Sequence, residues 1–235
     1  MTDPIVFLPG YLCDQRLFCA QTFDLSRDHM VIQAPLIGER CEEMASALIP
    51  HLPRRFALVG ASLGGIVALE ILRKAPDRVA RVCLVSTDAL PDAPNVAADR
   101  EPLLVQARIG RMDEAVRAAL PAGALAPGPG RMATQELFAE MAGPFGAGAF
   151  EVQTRAMQRR RDHQSSLYRA QCPIRIIAGA HDTLVTPKRQ EFMAGLAPTA
   201  RFDCLDTAGH LPSLEDPHAV TAILRDWLHP AAAAA

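Results

Sequence analysis

Apolar residues in this chain gather into short runs, separated by longer stretches in which apolar positions recur at helical spacing. Ile5-Val6-Phe7-Leu8, Met30-Val31-Ile32, Phe56-Ala57-Leu58-Val59, Val82-Cys83-Leu84-Val85 and Ile174-Arg175-Ile176-Ile177-Ala178 are the clearest runs. They read as strands buried on both faces, being apolar without alternation and too short for helices. Arg201 to Leu205 alternates and reads as an edge strand. Glu39 to Ile49, Leu63 to Lys74, Pro187 to Leu196 and Pro217 to Leu228 read as helices, each beginning or ending at a suitable breaker. Strand and helix therefore alternate, which predicts an α/β fold with a sheet of about six mostly parallel strands and helices on both faces.

The alternation stops between Asp88 and Gln171, where Ala-, Arg- and Met-rich helical stretches are broken at Pro121 to Gly130 and at Gly143 to Gly148. An all-helical insertion between two strands of a parallel sheet predicts a cap over the carboxyl edge, where ligands bind in such sheets. A structural helical appendage is the alternative. The expected organisation is a core of residues 1–87 and 172–230 with a helical cap of residues 88–171. Pro230 and the five alanines after it offer no face to bury, so 231–235 reads as a frayed tail or cloning remnant.

Composition narrows the function classes. With 235 residues, 49% of them apolar, the chain is a globular protein with a sizeable core rather than a disordered or fibrous one. A net charge of −2 and a pI near 6.4 argue against nucleic acid or an anionic membrane surface as principal partner. Met1-Thr2-Asp3-Pro4 opens without a signal pattern, and no stretch approaches the roughly 20 apolar residues of a membrane span. The expected location is the cytoplasm, and the six scattered cysteines, without C-x-x-C spacing, are expected to be reduced.

The chemistry-bearing stretch is Gly60-Ala61-Ser62-Leu63-Gly64-Gly65, which lies between the strand ending at Val59 and the following helix. A Gly-x-Ser-x-Gly turn in that setting exposes the serine hydroxyl, and its glycines avoid collisions where the backbone is tight. Ser62 is the candidate nucleophile; a simple helix-capping serine is the alternative. A serine hydroxyl needs a base, best a histidine oriented by a buried carboxylate. Asp182 follows the strand ending at Ala178, and His210 follows the last strand, in the chain order expected for such a turn. His181 is the rival histidine, but adjoining Asp182 it should point elsewhere. An oxyanion needs two backbone donors: Leu63 N–H at the helix start is one candidate, and Tyr11 N–H in Leu8-Pro9-Gly10-Tyr11-Leu12 is the other, with Leu12 second.

These residues resemble the α/β-hydrolase superfamily and, within it, small bacterial carboxylesterases related to pimeloyl-carrier-protein methyl ester esterases. The matching pieces span nearly the whole chain: Leu8 to Asp14, Val59 to Gly65, Cys172 to Asp182, and Gly209-His210-Leu211-Pro212. The resemblance implies hydrolysis of a small-molecule ester through an acyl-serine, without metal or organic cofactor, and brings an acyl-carrier protein into view as a partner. Many relatives carry His-Gly where this chain has Pro9-Gly10, and the antiparallel leading hairpin common in larger members is not expected here. The same scaffold also serves thioesterases, lactonases, carbon–carbon hydrolases and perhydrolases, and a non-catalytic ligand receptor is the reading from another class.

For the substrate pocket the candidates are Leu12 and the helical residues Phe138, Met141, Phe145, Phe150 and Met157. Core packing is the alternative for residues at such spacing. The run Arg159-Arg160-Arg161 near Arg155 is either a solvated face or a binder of a substrate carboxylate or carrier surface.

Overall fold

The computed structural model describes residues 3–229, so the expected tail at 231–235 lies outside the described residues. The chain begins β1 (Ile5–Leu8), α1 (Cys19–Leu25), β2 (Val31–Gln33), α2 (Cys41–Leu48), β3 (Phe56–Ala61), α3 (Leu63–Lys74) and β4 (Val79–Val85). Six helices follow without an intervening strand: α4 (Pro94–Ala98), α5 (Glu101–Arg108), α6 (Met112–Ala119), α7 (Arg131–Ala142), α8 (Gly146–Gln158) and α9 (Gln164–Tyr168). The alternation then resumes with β5 (Ile174–Gly179), α10 (Pro187–Leu196), β6 (Ala200–Leu205), α11 (Pro212–Glu215) and α12 (Pro217–Leu228).

The strands form one sheet of order β2-β1-β3-β4-β5-β6, every pairing parallel. All residues of β1 and β3 are buried. Side chains alternate between faces along a strand, so both faces of the sheet centre are covered, as their unbroken apolar runs require. The helices pack in groups, α1 on α12 and α2 on α3, with α9 lying against α3 and α10. Strand β6, at one end of the sheet, shows the half-buried pattern its alternation predicted. Strand β3 runs past its apolar run because Gly60 and Ala61 stay in register with Leu84 and Val85, and β4 begins before its own because Val79 and Arg81 pair with Phe56 and Ala57.

Register also aligns the strand ends. Leu8 lies opposite Gly60, Gly60 opposite Leu84, and Val85 opposite Ile177. The loops after β1, β3, β4 and β5 therefore leave from one edge. The insertion returns to this frame through His163, whose N–H donates to Ala89 O at 2.7 Å and joins its exit to its entry. His163 Nε2 lies 3.3 Å from Oε1 of Glu70, a fully buried carboxylate in the middle of α3. Burial would raise the Glu70 carboxyl, yet His163 and Arg73 beside it hold it below its ordinary range.

Leu58 is fully buried in the central strand β3. Leu58→Ala is expected to cost about 2–5 kcal/mol, seen as a lower urea midpoint with an unchanged slope.

Candidate active site

The turn from β3 into α3 carries Ser62 with φ 47° and ψ −114°, a conformation seldom adopted by a residue with a Cβ. Its backbone is fully engaged: Ser62 N–H donates to Val85 O at 2.9 Å, and Ser62 O accepts from Gly65 N, Ile66 N and Thr87 Oγ1. The Ser62 side chain makes no capping bond to the helix it precedes. What holds the turn is close approach rather than freedom of φ. A Cβ on Gly64 would lie 2.3 Å from Leu8 O and 2.4 Å from Pro9 O, and one on Gly60 would lie 2.4 Å from Gly64 O. The backbones of the β1 loop and the α3 start can meet only if both positions lack side chains.

His210 Nδ1 and Asp182 Oδ2 are 2.9 Å apart, both residues buried. A carboxylate only accepts, so Nδ1 carries the hydrogen and Nε2 is the nitrogen left to take a proton. The other oxygen of Asp182 accepts from Leu184 N and Val185 N, each at 2.9 Å, which fixes the carboxylate in the turn after β5. His181 is exposed and plays no part in this contact.

Sequence reasoning missed the residue that holds the His210 loop. Glu215 Oε2 accepts from Gly209 N at 2.9 Å, and Oε1 from Leu211 N at 2.9 Å, so one carboxylate grips the backbone on both sides of His210. Its Oε2 also accepts from Ala126 N at 2.6 Å, and His210 N–H itself donates to Ala124 O at 2.8 Å. Both partners belong to the helical insertion. The available signal was an acid five residues after the histidine, directly following Leu211-Pro212-Ser213-Leu214.

The loop after β1 is gripped from the insertion as well. Leu12, at φ 55°, donates its N–H to Gln153 Oε1 at 2.8 Å, which removes it as an oxyanion donor. Tyr11 Oη is 2.6 Å from Thr154 Oγ1, which in turn donates to Phe150 O. Burial pushes the Tyr11 phenol up to about 12, with Thr154 and the charge of Arg100 pulling weakly the other way. Leu63 is the first residue of α3, and the leading N–H groups of a helix have no acceptor within it. Gln153 and Thr154, too, were missed, although they sit on the same face of α8 as Phe150 and Met157.

A cavity of about 330 Å³ brings Ser62, His210 and Tyr11 together with Phe138 and Met157. Its remaining apolar wall includes Leu17, Ile66, Leu103 and Leu120. Three of the pocket candidates are corrected: Leu12, Met141 and Phe150 are fully buried in the core and line neither this cavity nor its neighbour. Phe150 packs its ring 6.1 Å from that of Tyr11, so it supports the loop rather than the ligand space. Phe145 lines a separate cavity of about 480 Å³ on the other side of Gly10 and Cys13. Cys13 borders both spaces, its thiol pKa pushed up by burial.

The arginine run divides. Arg155 pairs with Glu101 and Arg161 with Glu42 at the surface, and Arg159 is exposed. Only Arg160 reaches the Ser62 cavity, where burial pulls its guanidinium below its usual range against the opposing pull of Asp92 and Asp88. Among the described residues, no group of three or more His, Cys, Asp or Glu is placed to hold a metal ion, and no helix is long and apolar enough to cross a membrane.

Comparison with known proteins agrees with this fold. The model of a family described as alpha/beta hydrolase matches residues 5–223. A pimeloyl-[acyl-carrier protein] methyl ester esterase of Aromatoleum aromaticum is 29% identical over 208 residues, covering 82% of this chain and 81% of that protein. A thermophilic esterase of Thermogutta terrifontis, solved with malate bound, superposes with a TM-score of 0.87 at 26% identity, over 97% of this chain and 90% of that one. The enol-lactonase of Burkholderia xenovorans shares the fold, with a TM-score of 0.86 at 22% identity, over 97% and 92% of the two chains.

Gly64→Ala is expected to destabilise the fold by at least about 1–3 kcal/mol, because backbone carbonyls must move to admit the methyl group. Gly195→Ala, in helix α10 with open space around its Cα, is expected to stabilise by about 0.4–1 kcal/mol. Thermal melting of the two variants side by side checks the contrast. Glu215→Ala leaves the Gly209, Leu211 and Ala126 N–H groups without their acceptor, and a loss of about 1–3 kcal/mol in urea unfolding is expected.

Proposed function

The chain belongs to the alpha/beta hydrolase family, and from that premise we propose that it is a serine esterase that cleaves small to medium carboxylic esters through an acyl-serine intermediate. The observation that carries this reading is the 2.9 Å contact of His210 Nδ1 with a buried, fully bonded Asp182, on a cavity that also holds Ser62 at its strained turn. Ser62 Oγ attacks the ester carbonyl carbon while its proton passes to His210 Nε2. Asp182 holds the imidazole in the tautomer that accepts this proton, and stabilises the imidazolium that results. The N–H groups of Tyr11 and Leu63 hold the oxyanion. Collapse breaks the bond to the alkoxy oxygen, which leaves with the proton from His210. Water then repeats the sequence on the acyl-enzyme, releasing the acid and restoring Ser62.

In this reading the insertion of residues 88–171 is a cap that closes the site and shapes the ligand space, and the protein works as a soluble enzyme of the cytoplasm. Phe138 and Met157, the two predicted pocket residues on the Ser62 cavity, contact the substrate's apolar part. The relative named for a pimeloyl-[acyl-carrier protein] ester makes a carrier-bound acyl chain a substrate to set beside free esters.

An activated short-chain aryl ester is expected to give a burst of the released phenol followed by slower steady turnover. Ser62→Ala should abolish the burst and phosphonate labelling while circular dichroism stays native, and Asp182→Asn should lower kcat by about 10⁴-fold. Absence of turnover on esters, thioesters and lactones, together with absence of labelling at Ser62, would sink the reading. Tight binding without product, untouched by Ser62→Ala, would replace it with a receptor.

A further inference from the structure

The Ser62 cavity has two kinds of wall. One is the apolar surface of Leu17, Ile66, Leu120, Phe138 and Met157; the other is charged, built from Asp88, Asp92, Asp99, Arg100, Arg160 and Arg189. Charged groups in a cavity that suited only a plain hydrocarbon ester would be costly to bury without return. Arg160 and Asp92 are deeply buried, their side chains 6% and 2% exposed, so they are no solvated rim.

The pairing within this wall is uneven. Arg189 Nη2 lies 2.5 Å from Asp88 Oδ2, and the charge of Asp88 also acts on Arg160. Asp92 is shared between two guanidinium groups: its Oδ1 faces Arg160 Nη1 at 2.5 Å, and its Oδ2 accepts from Arg100 Nε at 3.1 Å. Arg160 Nε is used on Leu90 O at 2.8 Å. Two guanidiniums carry ten N–H donors in fixed forks, many more than one carboxylate and one carbonyl accept. Asp92 therefore holds both forks in place and leaves one positive charge and surplus donors within this trio, on a wall whose three Asp and three Arg balance as a whole. Asp99, the remaining carboxylate, is exposed at the edge of this wall, next to Arg100 in sequence. Tyr11, Cys13 and His210 are the other titratable groups lining the cavity, and His210 belongs to the catalytic set proposed above. Tyr11, on the loop proposed to hold the oxyanion, lines the same cavity as this wall.

We propose that Arg100 and Arg160, held by Asp92, form a subsite for an anionic group on the substrate, so that the preferred ester is the half-ester of a dicarboxylic acid, its free carboxylate seated on the two guanidiniums. The inference rests on the esterase reading and adds the substrate class to it. A carboxylate has the planar, two-oxygen shape that a guanidinium fork matches, and charge-assisted bonds are strong where apolar walls exclude water. The notion of a substrate-binding arginine run is thereby narrowed: Arg155, Arg159 and Arg161 stay outside, and Arg160 acts with Arg100, a residue about 60 positions earlier whose role no local pattern announces.

The test compares monomethyl glutarate and monomethyl adipate with the dimethyl esters of the same acids, following initial proton release by the full-length protein. The half-esters are expected to show the higher kcat/KM, by about tenfold or more, chiefly through a lower KM. Arg100→Gln and Arg160→Gln are expected to reduce that ratio by about tenfold, and Arg100→Lys, which keeps the charge without the fork, to reduce it by less. Arg100, about a fifth exposed, is the variant to rely on if Arg160→Gln fails to fold. A half-ester to diester ratio at or below one, or a ratio that neither glutamine substitution moves, overturns the proposal. A second measurement separates its failure from that of the esterase reading: calorimetric titration of glutarate into Ser62→Ala protein, with and without Arg100→Gln. Binding weakened about tenfold by Arg100→Gln supports the anion subsite even if no ester is turned over; absent or unchanged binding overturns it even if neutral esters are good substrates.

Discussion

Everything at this site depends on a contact that no side chain is allowed to enter, the backbone of Gly64 against the carbonyls of Leu8 and Pro9. It brings the start of α3 against the loop after β1, and with them the Ser62 turn and Tyr11. Strand register does the rest of the placing, since β1, β3, β4 and β5 end at matched positions and their loops leave from one edge. The positive φ of Ser62 is the local cost of turning so abruptly. It is sustained because both backbone polar groups of that residue are bonded to neighbouring strands and helix, which leaves the conformation no cheaper alternative.

The insertion bonds to the loops of the sheet at two places. Through Gln153 and Thr154 of α8 it holds the loop after β1, and through Ala124 and Ala126 it holds the loop carrying His210. The same segment supplies Arg100, Asp92 and Arg160, Phe138 and Met157 to the cavity. The sheet thus sets where Ser62, Asp182 and His210 stand, and the insertion holds the loops that carry Tyr11 and His210 and supplies part of the cavity beside them.

How much of this was legible in the chain varied with the kind of interaction. Buried strands were visible because a short apolar run without alternation has to be covered on both faces, which a central strand of a parallel sheet provides. Ser62 was visible because its flanking strand and helix made the glycine spacing meaningful. Asp182 and His210 followed from chain order, and the structure brings them to 2.9 Å. Glu215, Gln153 and Thr154 were not visible, since their partners are backbone N–H and side-chain hydroxyl groups that lie from 89 to 143 positions away where they reach across the fold. A bond to a backbone amide leaves no residue type on the other side to notice. Leu12, Met141 and Phe150 were misplaced for a related reason: an apolar residue obeys the same periodicity whether it fills the core or faces a ligand. In the arginine run, α8 ends at Gln158, and the turn that follows sends consecutive arginines in different directions.

The bond from His210 N–H to Ala124 O has a consequence for how this scaffold can be altered. Exchanging the insertion wholesale between relatives, as a way of moving substrate preference from one protein to another, would also exchange part of the support under the histidine. A graft that leaves residues 122–126 and the Gln153-Thr154 pair in place, and replaces only α4 to α6 and the cavity-facing side chains, respects a boundary that helix limits do not draw. The modular unit of specificity is smaller than the unit of secondary structure that carries it.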